Sequence, residues 1–343
     1  MTGTSEYSLA SCLLLLASIK NLKHQTSKNM ITVFTPAYNR AHLLPRLYES
    51  LCRQTFKDFE WVIVDDGSSD DTRSVVEKFS VLGFELSDEN ETRSYENENS
   101  KLYTLHSKLK PFPIRYYYQE NGGKHRAINR GVQEARGELF LILDSDDTLP
   151  PHSLELIDYY YQQIKDDASF GGVCGYMAHH DGTVIGRGND DEVLDANSIE
   201  MRYKYHIQGD MLEVFRTSVM REIPFPDIPG EKFVPEALVW NRIACKYRLR
   251  VFHEVVYFRD YLDGGLTDKI VRIRITSPIA SMMTYAELNS YQIPFVSKVK
   301  AAINYWRFRF CSNAKEKPAL KWWYHWTMPL GWGMHLKDIR RER

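Results

Sequence analysis

The 343-residue chain lacks most of the features that would assign it at a glance. No apolar run approaches the about 20 residues needed to span a bilayer. The run in "SLASCLLLLASIK" is too short, and only Glu6 precedes it as a charge, so the basic start of a secretory signal is missing. Five cysteines, Cys12, Cys52, Cys174, Cys245 and Cys311, form no CxxC pair. That spacing argues against a zinc site and a disulfide framework and suits a reducing cytoplasm. A net charge of -1 gives no global attraction to nucleic acid. There is no internal repeat.

What is present is an ordinary globular composition, 43% hydrophobic and 26% charged, enough for a well-buried core and one or two domains. Residues 1–29 read as a poorly ordered extension. "MITVFTPAYN" (30–39) then reads as a strand closing at Pro36, and "RAHLLPRLYESLCRQ" (40–54) carries leucines at helical spacing. "FEWVIVDDGSSDDT" is a second strand entering an acidic turn, with a helix after it. Residues 85–110 are polar and aperiodic, an insertion loop or a locally disordered segment. "IRYYYQENGGKHRAINRGVQEARG" supplies a strand, a Gly-Gly turn and a helix. "LFLILDSDDTLP" is a buried strand ending in three carboxylates, with a helix from Ser153 to Ile164 after it. This alternation predicts an α/β fold with a mostly parallel central sheet flanked by helices. Right-handed crossovers place the strand-end loops on one edge, where ligands of open α/β sheets bind.

Those loops offer an apolar ring at Pro36 and Tyr38, carboxylates at Asp65 and Asp66, and cations at Lys124 and Arg126 after Gly122-Gly123. The fourth loop offers Asp144, Ser145, Asp146 and Asp147. Each feature alone has a bland reading: a solvated acidic turn, a packed tyrosine, solvated helix charges. Together they suit a nucleoside diphosphate, and the Asp cluster suits Mg²⁺ or Mn²⁺, which bind through one or two carboxylates plus substrate phosphates. Strand alternation puts Asp144 and Asp146 on one side, with Asp147 turned away or swung by the loop.

"VFTPAYNRAHLLPRLYESLCRQTFKDFEWVIVDDGSSDDT", then "NGGKHRAINRGVQEARGELFLILDSDDTLPP", resembles the inverting GT-A glycosyltransferases of family 2 over about residues 30–260. The resemblance implies a Rossmann-like GT-A domain over 30–275. Its nucleotide-binding half would be 30–150 and its acceptor and sugar half 151–275. It also implies Pro36, Tyr38 and Asp66 at the nucleobase, Asp144 at the ribose, and Asp146 or Asp147 on the metal. The family's catalytic base, a carboxylate just before a helix, corresponds to Glu236, with Glu231 as second choice. Gly209 and Asp210 correspond to the segment that shapes the sugar and acceptor pocket. The implied activity is metal-dependent transfer from a nucleotide-sugar, a UDP-sugar first, to a saccharide or lipid-linked saccharide acceptor, as in bacterial surface polysaccharide synthesis. A nucleotidyltransferase would carry a Gly-rich basic loop where this chain has "TPAYNRAH"; a non-catalytic nucleotide-sugar binder would be expected to lose the Asp cluster or the later carboxylate.

Residues 276–343 form a helical, aromatic and basic extension. Its Trp, Tyr, Lys and Arg fit two uses: peripheral contact with the inner face of the plasma membrane, or plain packing on the catalytic domain. No nucleic-acid partner is expected.

Overall fold

The computed structural model of the chain describes residues 30–85, 112–188, 192–259 and 266–342. The extension expected over 1–29, and the 85–110 insertion beyond Glu85, lie outside them. Eight strands form one sheet: β1 (Ile31–Ala37), β2 (Phe59–Asp65), β3 (Ile114–Tyr118), β4 (Leu139–Ile142), β5 (Phe170–Ala178), β6 (Val193–Ala196), β7 (Met211–Arg216) and β8 (Arg248–Phe258). Their spatial order is β3-β2-β1-β4-β7-β5-β8-β6. The helices α1 (Leu44–Cys52), α2 (Thr72–Glu85), α3 (Lys124–Glu134), α4 (Ser153–Gln162), α5 (Ser198–Tyr203), α6 (Thr217–Glu222) and α7 (Glu236–Ala244) connect them. A C-terminal group completes the chain: α8 (Leu266–Thr276), α9 (Pro278–Ser290), α10 (Phe295–Arg309), a 3-10 turn (Trp322–Thr327) and α11 (Met328–Glu342). Helix therefore begins ten residues before the boundary expected at 276, at Leu266.

The continuous apolar strands are continuous because both faces are covered. Along β2, Phe59, Trp61 and Ile63 enter one core with the α1, α2 and α4 residues Leu47, Val76 and Ile157. The alternate residues Val62 and Val64 enter the opposite core with Ile128 of α3 and Leu238 of α7. β4 divides the same way: Leu139 and Leu141 on one side, Phe140 on the other. Each such side chain contributes about 1.5–3 kcal/mol on burial. The result is three layers.

Strands β1, β2, β3 and β4 are mutually parallel where they pair, and β5 is parallel to β8. β7 runs antiparallel to both β4 and β5. The carboxyl ends of β1–β5 and β8 thus share one edge with the amino end of β7. Pro36 lies inside β1, opposite Val64, rather than ending it. The ladder to β4 stops at Phe34–Ile142, so on that side the missing proline N–H breaks no strand pair.

The opposite edge is locked by a buried carboxylate. Glu60 Oε1 accepts from Thr32 Oγ1 at 2.7 Å and from the Arg136 backbone N–H at 2.7 Å, and Oε2 accepts from Arg115 Nη1 at 3.1 Å. Thr32 Oγ1 also accepts from Gly137 N–H, so β1, β2, β3 and the α3–β4 turn meet at one group. Glu60→Ala leaves the Arg115 charge without this partner, and the expected loss is about 3–5 kcal/mol of unfolding free energy. Denaturant unfolding monitored by circular dichroism reads it; an unchanged midpoint would show that Glu60 does not hold this edge.

Candidate active site

The loops after β1 and β2 are laced together. The Asn39 N–H donates to Ser68 Oγ at 2.8 Å, and the Ser69 N–H donates to Asn39 Oδ1 at 2.8 Å. Arg40 N–H donates to Thr72 Oγ1 and Ala41 N–H to Asp70 Oδ2. Asp65, buried at the end of β2, accepts from Ser68 N–H and from the Tyr116 hydroxyl at 2.6 Å. "DDGSSDD" is therefore a laced loop: Asp65 and Asp66 are buried at its start, while Ser69, Asp70 and Asp71 stay exposed. Beside it lies a cavity of about 260 Å³ lined by Asp65, Ser68, Ser69, Asp70, Arg73, Tyr116 and Tyr118. Tyr38 stands exposed at the loop start.

Asp66 does a different job. Its carboxylate accepts from Gln119 Nε2, Gly122 N–H and Gly123 N–H at 2.7–2.9 Å, so it clamps the Gly-Gly turn that starts α3. Gly123 has φ +99°, and a Cβ there would sit 1.9 Å from the Lys232 carbonyl oxygen. Only glycine lets α3 and the 227–236 loop approach this closely. Arg126 seals the contact: its guanidinium donates to the carbonyls of Gly122, Ile228 and Glu231 and pairs with Asp227. It is thus occupied by protein groups, away from the expected phosphate-facing role. Glu231, buried, accepts from the Ile279 and Ala280 backbone N–H groups at the start of α9, so the second candidate base is a helix cap.

Lys124, at the first position of α3, does reach the cluster. Its ammonium lies 2.7 Å from Asp144 Oδ1 and 2.9 Å from Glu236 Oε1, bridging the two. Burial alone would lower its pKa, but Asp144 and Glu236 raise it well above the ordinary lysine value. Burial likewise pushes Asp144 up, and Lys124, then Arg259 and Arg40, outweigh it and hold the carboxyl below its ordinary value. Glu236 opens α7 and is 39% exposed, accessible to an incoming hydroxyl.

The expected strand alternation of Asp144, Asp146 and Asp147 does not apply, because β4 ends at Ile142 and the three residues occupy a turn. The Tyr257 hydroxyl organises that turn: it accepts from Asp144 N–H at 3.0 Å and donates to Asp147 Oδ2 at 2.7 Å. Asp147 is buried; desolvation, Asp144 and Asp146 push its carboxyl up to about 7 despite that hydrogen bond. Ser145 is buried between them. Asp146 is fixed through its backbone carbonyl, which accepts from Arg46, while its carboxylate takes no hydrogen bond or ion pair among the described residues. Gly209 has φ +90° and packs against Gly186; Asp210, just before β7, pairs with Arg259 at 3.0 Å.

Among the described residues no three His, Cys, Asp or Glu side chains already form a metal cage. The Asp146 carboxylate, a hard oxygen donor without a hydrogen bond or ion pair among the described residues, nonetheless fits a divalent ion that would arrive with a diphosphate. The residues missed in the sequence are Tyr257, Arg259, Arg40 and Arg73. All but Arg40 come from ordinary-looking strand or helix segments or their ends, and "VYFR", closing β8 and its first following residue, carries no motif.

The chain matches the family model described as Glycosyl transferase family 2 over residues 32–215, more than half its length. It is 26% identical over 238 residues to a GalNAc(5)-diNAcBac-PP-undecaprenol beta-1,3-glucosyltransferase of Campylobacter jejuni, covering 67% of this chain and 64% of that one. It is 32% identical over 168 residues to an uncharacterized glycosyltransferase of a Nostoc species, covering 49% and 41%. The chain thus spans less than two thirds of those relatives' length. Among solved structures it resembles Staphylococcus aureus TarS 1-349 in complex with UDP-GlcNAc, with TM-score 0.54, 16% identity and 92% of each chain covered. It also resembles the mannosyltransferase PcManGT from Pyrobaculum calidifontis in complex with GDP-Man and Mn²⁺. There the TM-score is 0.51 at 18% identity, covering 96% of this chain and 83% of that one. At such identities the likeness is one of fold, here the GT-A fold.

His125, next to Lys124, is 1% exposed, and neither ring nitrogen finds a hydrogen bond among the described residues. Burial, then Arg126, pushes its pKa down to about 4 from 6.5. The folded state therefore binds the proton less well than the unfolded chain. Its stability is unaffected above pH 6.5 and falls as pH drops toward 4, by about 3 kcal/mol at most. His125→Leu should flatten the pH dependence of the unfolding free energy over that window. Parallel curves for the two proteins would remove His125 as the cause.

Proposed function

Because the chain belongs to glycosyl transferase family 2, we propose that it is a metal-dependent, inverting enzyme that transfers a sugar from a nucleotide-sugar. The donor is a UDP-sugar and the acceptor a saccharide or lipid-linked saccharide. The observation that carries this reading is the Lys124 ammonium set between Asp144 and Glu236 where the strand-end loops meet. Support for the donor comes from the fold shared with a UDP-GlcNAc-bound relative, and for the acceptor from the undecaprenol-linked saccharide in the Campylobacter relative's name. The setting proposed is bacterial surface polysaccharide synthesis at the cytoplasmic face of the plasma membrane. Among the described residues no helix is long and apolar enough to cross it.

The nucleoside lies along the β1 and β2 loops, with Tyr38 and Pro36 against the base and the Asp65–Asp70 cavity beside it. Asp66 acts through the Gly122-Gly123 turn that it clamps. Asp144 faces the ribose side. Asp146 rather than Asp147 is the carboxylate that would hold Mn²⁺ or Mg²⁺, because Asp147 is committed to Tyr257. The ion, when bound, neutralises charge on the departing diphosphate. Lys124 adds a preorganised cation from α3, able to exchange one of its carboxylate partners for a phosphate oxygen. Glu236 takes the acceptor proton: Oε1 holds Lys124 and Oε2 is available to the hydroxyl. Attack opposite the leaving diphosphate inverts the anomeric centre. Asp210, with Arg259, lines the sugar side.

Incubation with Mn²⁺ and a panel of nucleotide-sugars should reveal slow hydrolysis of one donor, measured as released nucleoside diphosphate. Glu236→Gln should lower transfer by about 10²–10⁴-fold while donor binding by calorimetry stays near wild type. Asp146→Ala should remove the metal-dependent part of that binding. Full transfer by the glutamine variant would take Glu236 out of the base role.

A further inference from the structure

The aromatics of the C-terminal region have two separable uses. Tyr305, Phe308, Leu320 and Tyr324 build a third core with Met282 and Ala302. The 3-10 turn is held from behind: Tyr324 and Thr327 are buried, and Thr327 Oγ1 donates to the Tyr324 carbonyl. Helix α11 is pressed onto α10 at Gly331, where a Cβ would meet Trp306 at 2.4 Å, and Arg307 forks onto buried Asp338. On this rigid mount Trp322, Trp323, Trp326 and Trp332 are 75%, 50%, 58% and 52% exposed. Leu330 and Phe295 are exposed with them, and the Phe295 ring lies 6.4 Å from that of Tyr324. Four of the chain's seven tryptophans thus face outward within eleven residues. Single exposed apolar residues are common; such a concentration marks an interaction surface.

Charge identifies the partner. Residues 295–343 carry eleven Lys and Arg against three Asp and Glu, a net +8, while the chain as a whole is -1. The remaining residues therefore carry -9, and one of the three acids, Asp338, is spent inside on Arg307. The Lys321 ammonium stands 5.6 Å from the Trp323 ring centre, an amphipathic pair at the turn itself. Tryptophan prefers headgroup depth, and lysine and arginine prefer anionic lipid. A second copy docked face to face would bring two such basic segments together, which their like charge disfavours. Single-stranded nucleic acid needs open aromatic platforms, whereas Trp322 and Trp323 stand edge to face at 80°.

The geometry points to this surface as a docking face for an anionic phospholipid bilayer, with the Trp322–Trp326 turn entering at headgroup depth. It is a peripheral contact. Lipid binding needs no sugar transfer, so a protein inactive on every donor but bound to vesicles fails the transferase reading alone.

The test is flotation of the full chain with phosphatidylcholine vesicles, with and without phosphatidylglycerol. Binding is expected only with phosphatidylglycerol, weakening as salt rises, with a blue shift of tryptophan emission. Trp322→Ala, Trp323→Ala and Trp326→Ala combined should weaken it at least about tenfold without moving the melting transition, since these rings are exposed. Lys321→Ala, with every tryptophan kept, should weaken it about fivefold. No binding by the wild-type chain, equal binding to neutral vesicles, or unchanged binding by the triple variant overturns the proposal. So does a concentration-dependent dimer, or capture of single-stranded DNA, that the triple substitution abolishes in a protein that never floats.

Discussion

Lys124 is the ion on which the site's arrangement depends. Three carboxylates lie just beyond β4 and a fourth, Glu236, opens α7; without a cation they would repel one another. The ammonium joins the earlier half of the α/β domain to its later half by touching one carboxylate from each. Its position is not loose. Lys124 is the first residue of α3, so its backbone is set by the Gly122-Gly123 turn, and that turn is set by Asp66. The chain of dependence runs from a buried carboxylate at the end of β2, through two backbone amides, to the charge at the centre of the cleft.

The close approach at Gly123 extends this dependence to the other half. The Lys232 carbonyl occupies the space a side chain would take, and Arg126 ties Gly122 to the carbonyls of Ile228 and Glu231. The segment that ends in Glu236 is thereby referenced to α3 rather than to its own helix alone. In the proposed reaction such preorganisation matters because a general base must stay within hydrogen-bond reach, and a small displacement of the carboxylate costs much of its effect.

The strands, their common edge and the ordered motifs were legible because burial on both faces leaves continuous apolar runs, and polar loops after each run stand out against them. Lys124, Asp144 and Glu236 were named separately from the sequence, and the fold brings Lys124 within hydrogen-bond distance of both carboxylates. The direction of a side chain was not legible. Arg126 and Lys124 are two residues apart on one helix, which turns them to different sides; one meets the cleft and the other a loop. Glu231 and Glu236 both stand near the start of α7, but the helix that Glu231 serves is α9, far on in the chain. The Asp cluster misled for a related reason: period-2 alternation holds only while the strand lasts, and beyond Ile142 a tyrosine from β8 directs the carboxylates.

Glu231 also explains how the C-terminal helices relate to the site. A buried carboxylate accepting two backbone N–H groups at a helix start is favoured both by hydrogen bonding and by the helix dipole. Here it fixes α9 to the same loop that delivers Glu236, and Arg242 of α7 forks onto Glu287 of α9 to make a second tie. Helix α9 in turn packs on α10, which also packs on the tryptophan turn, and all three share one apolar cluster. The exposed aromatic surface and Glu236 therefore share one framework. A bilayer held at that surface would fix the orientation of the cleft relative to the lipid, which is what an acceptor anchored in the same bilayer requires.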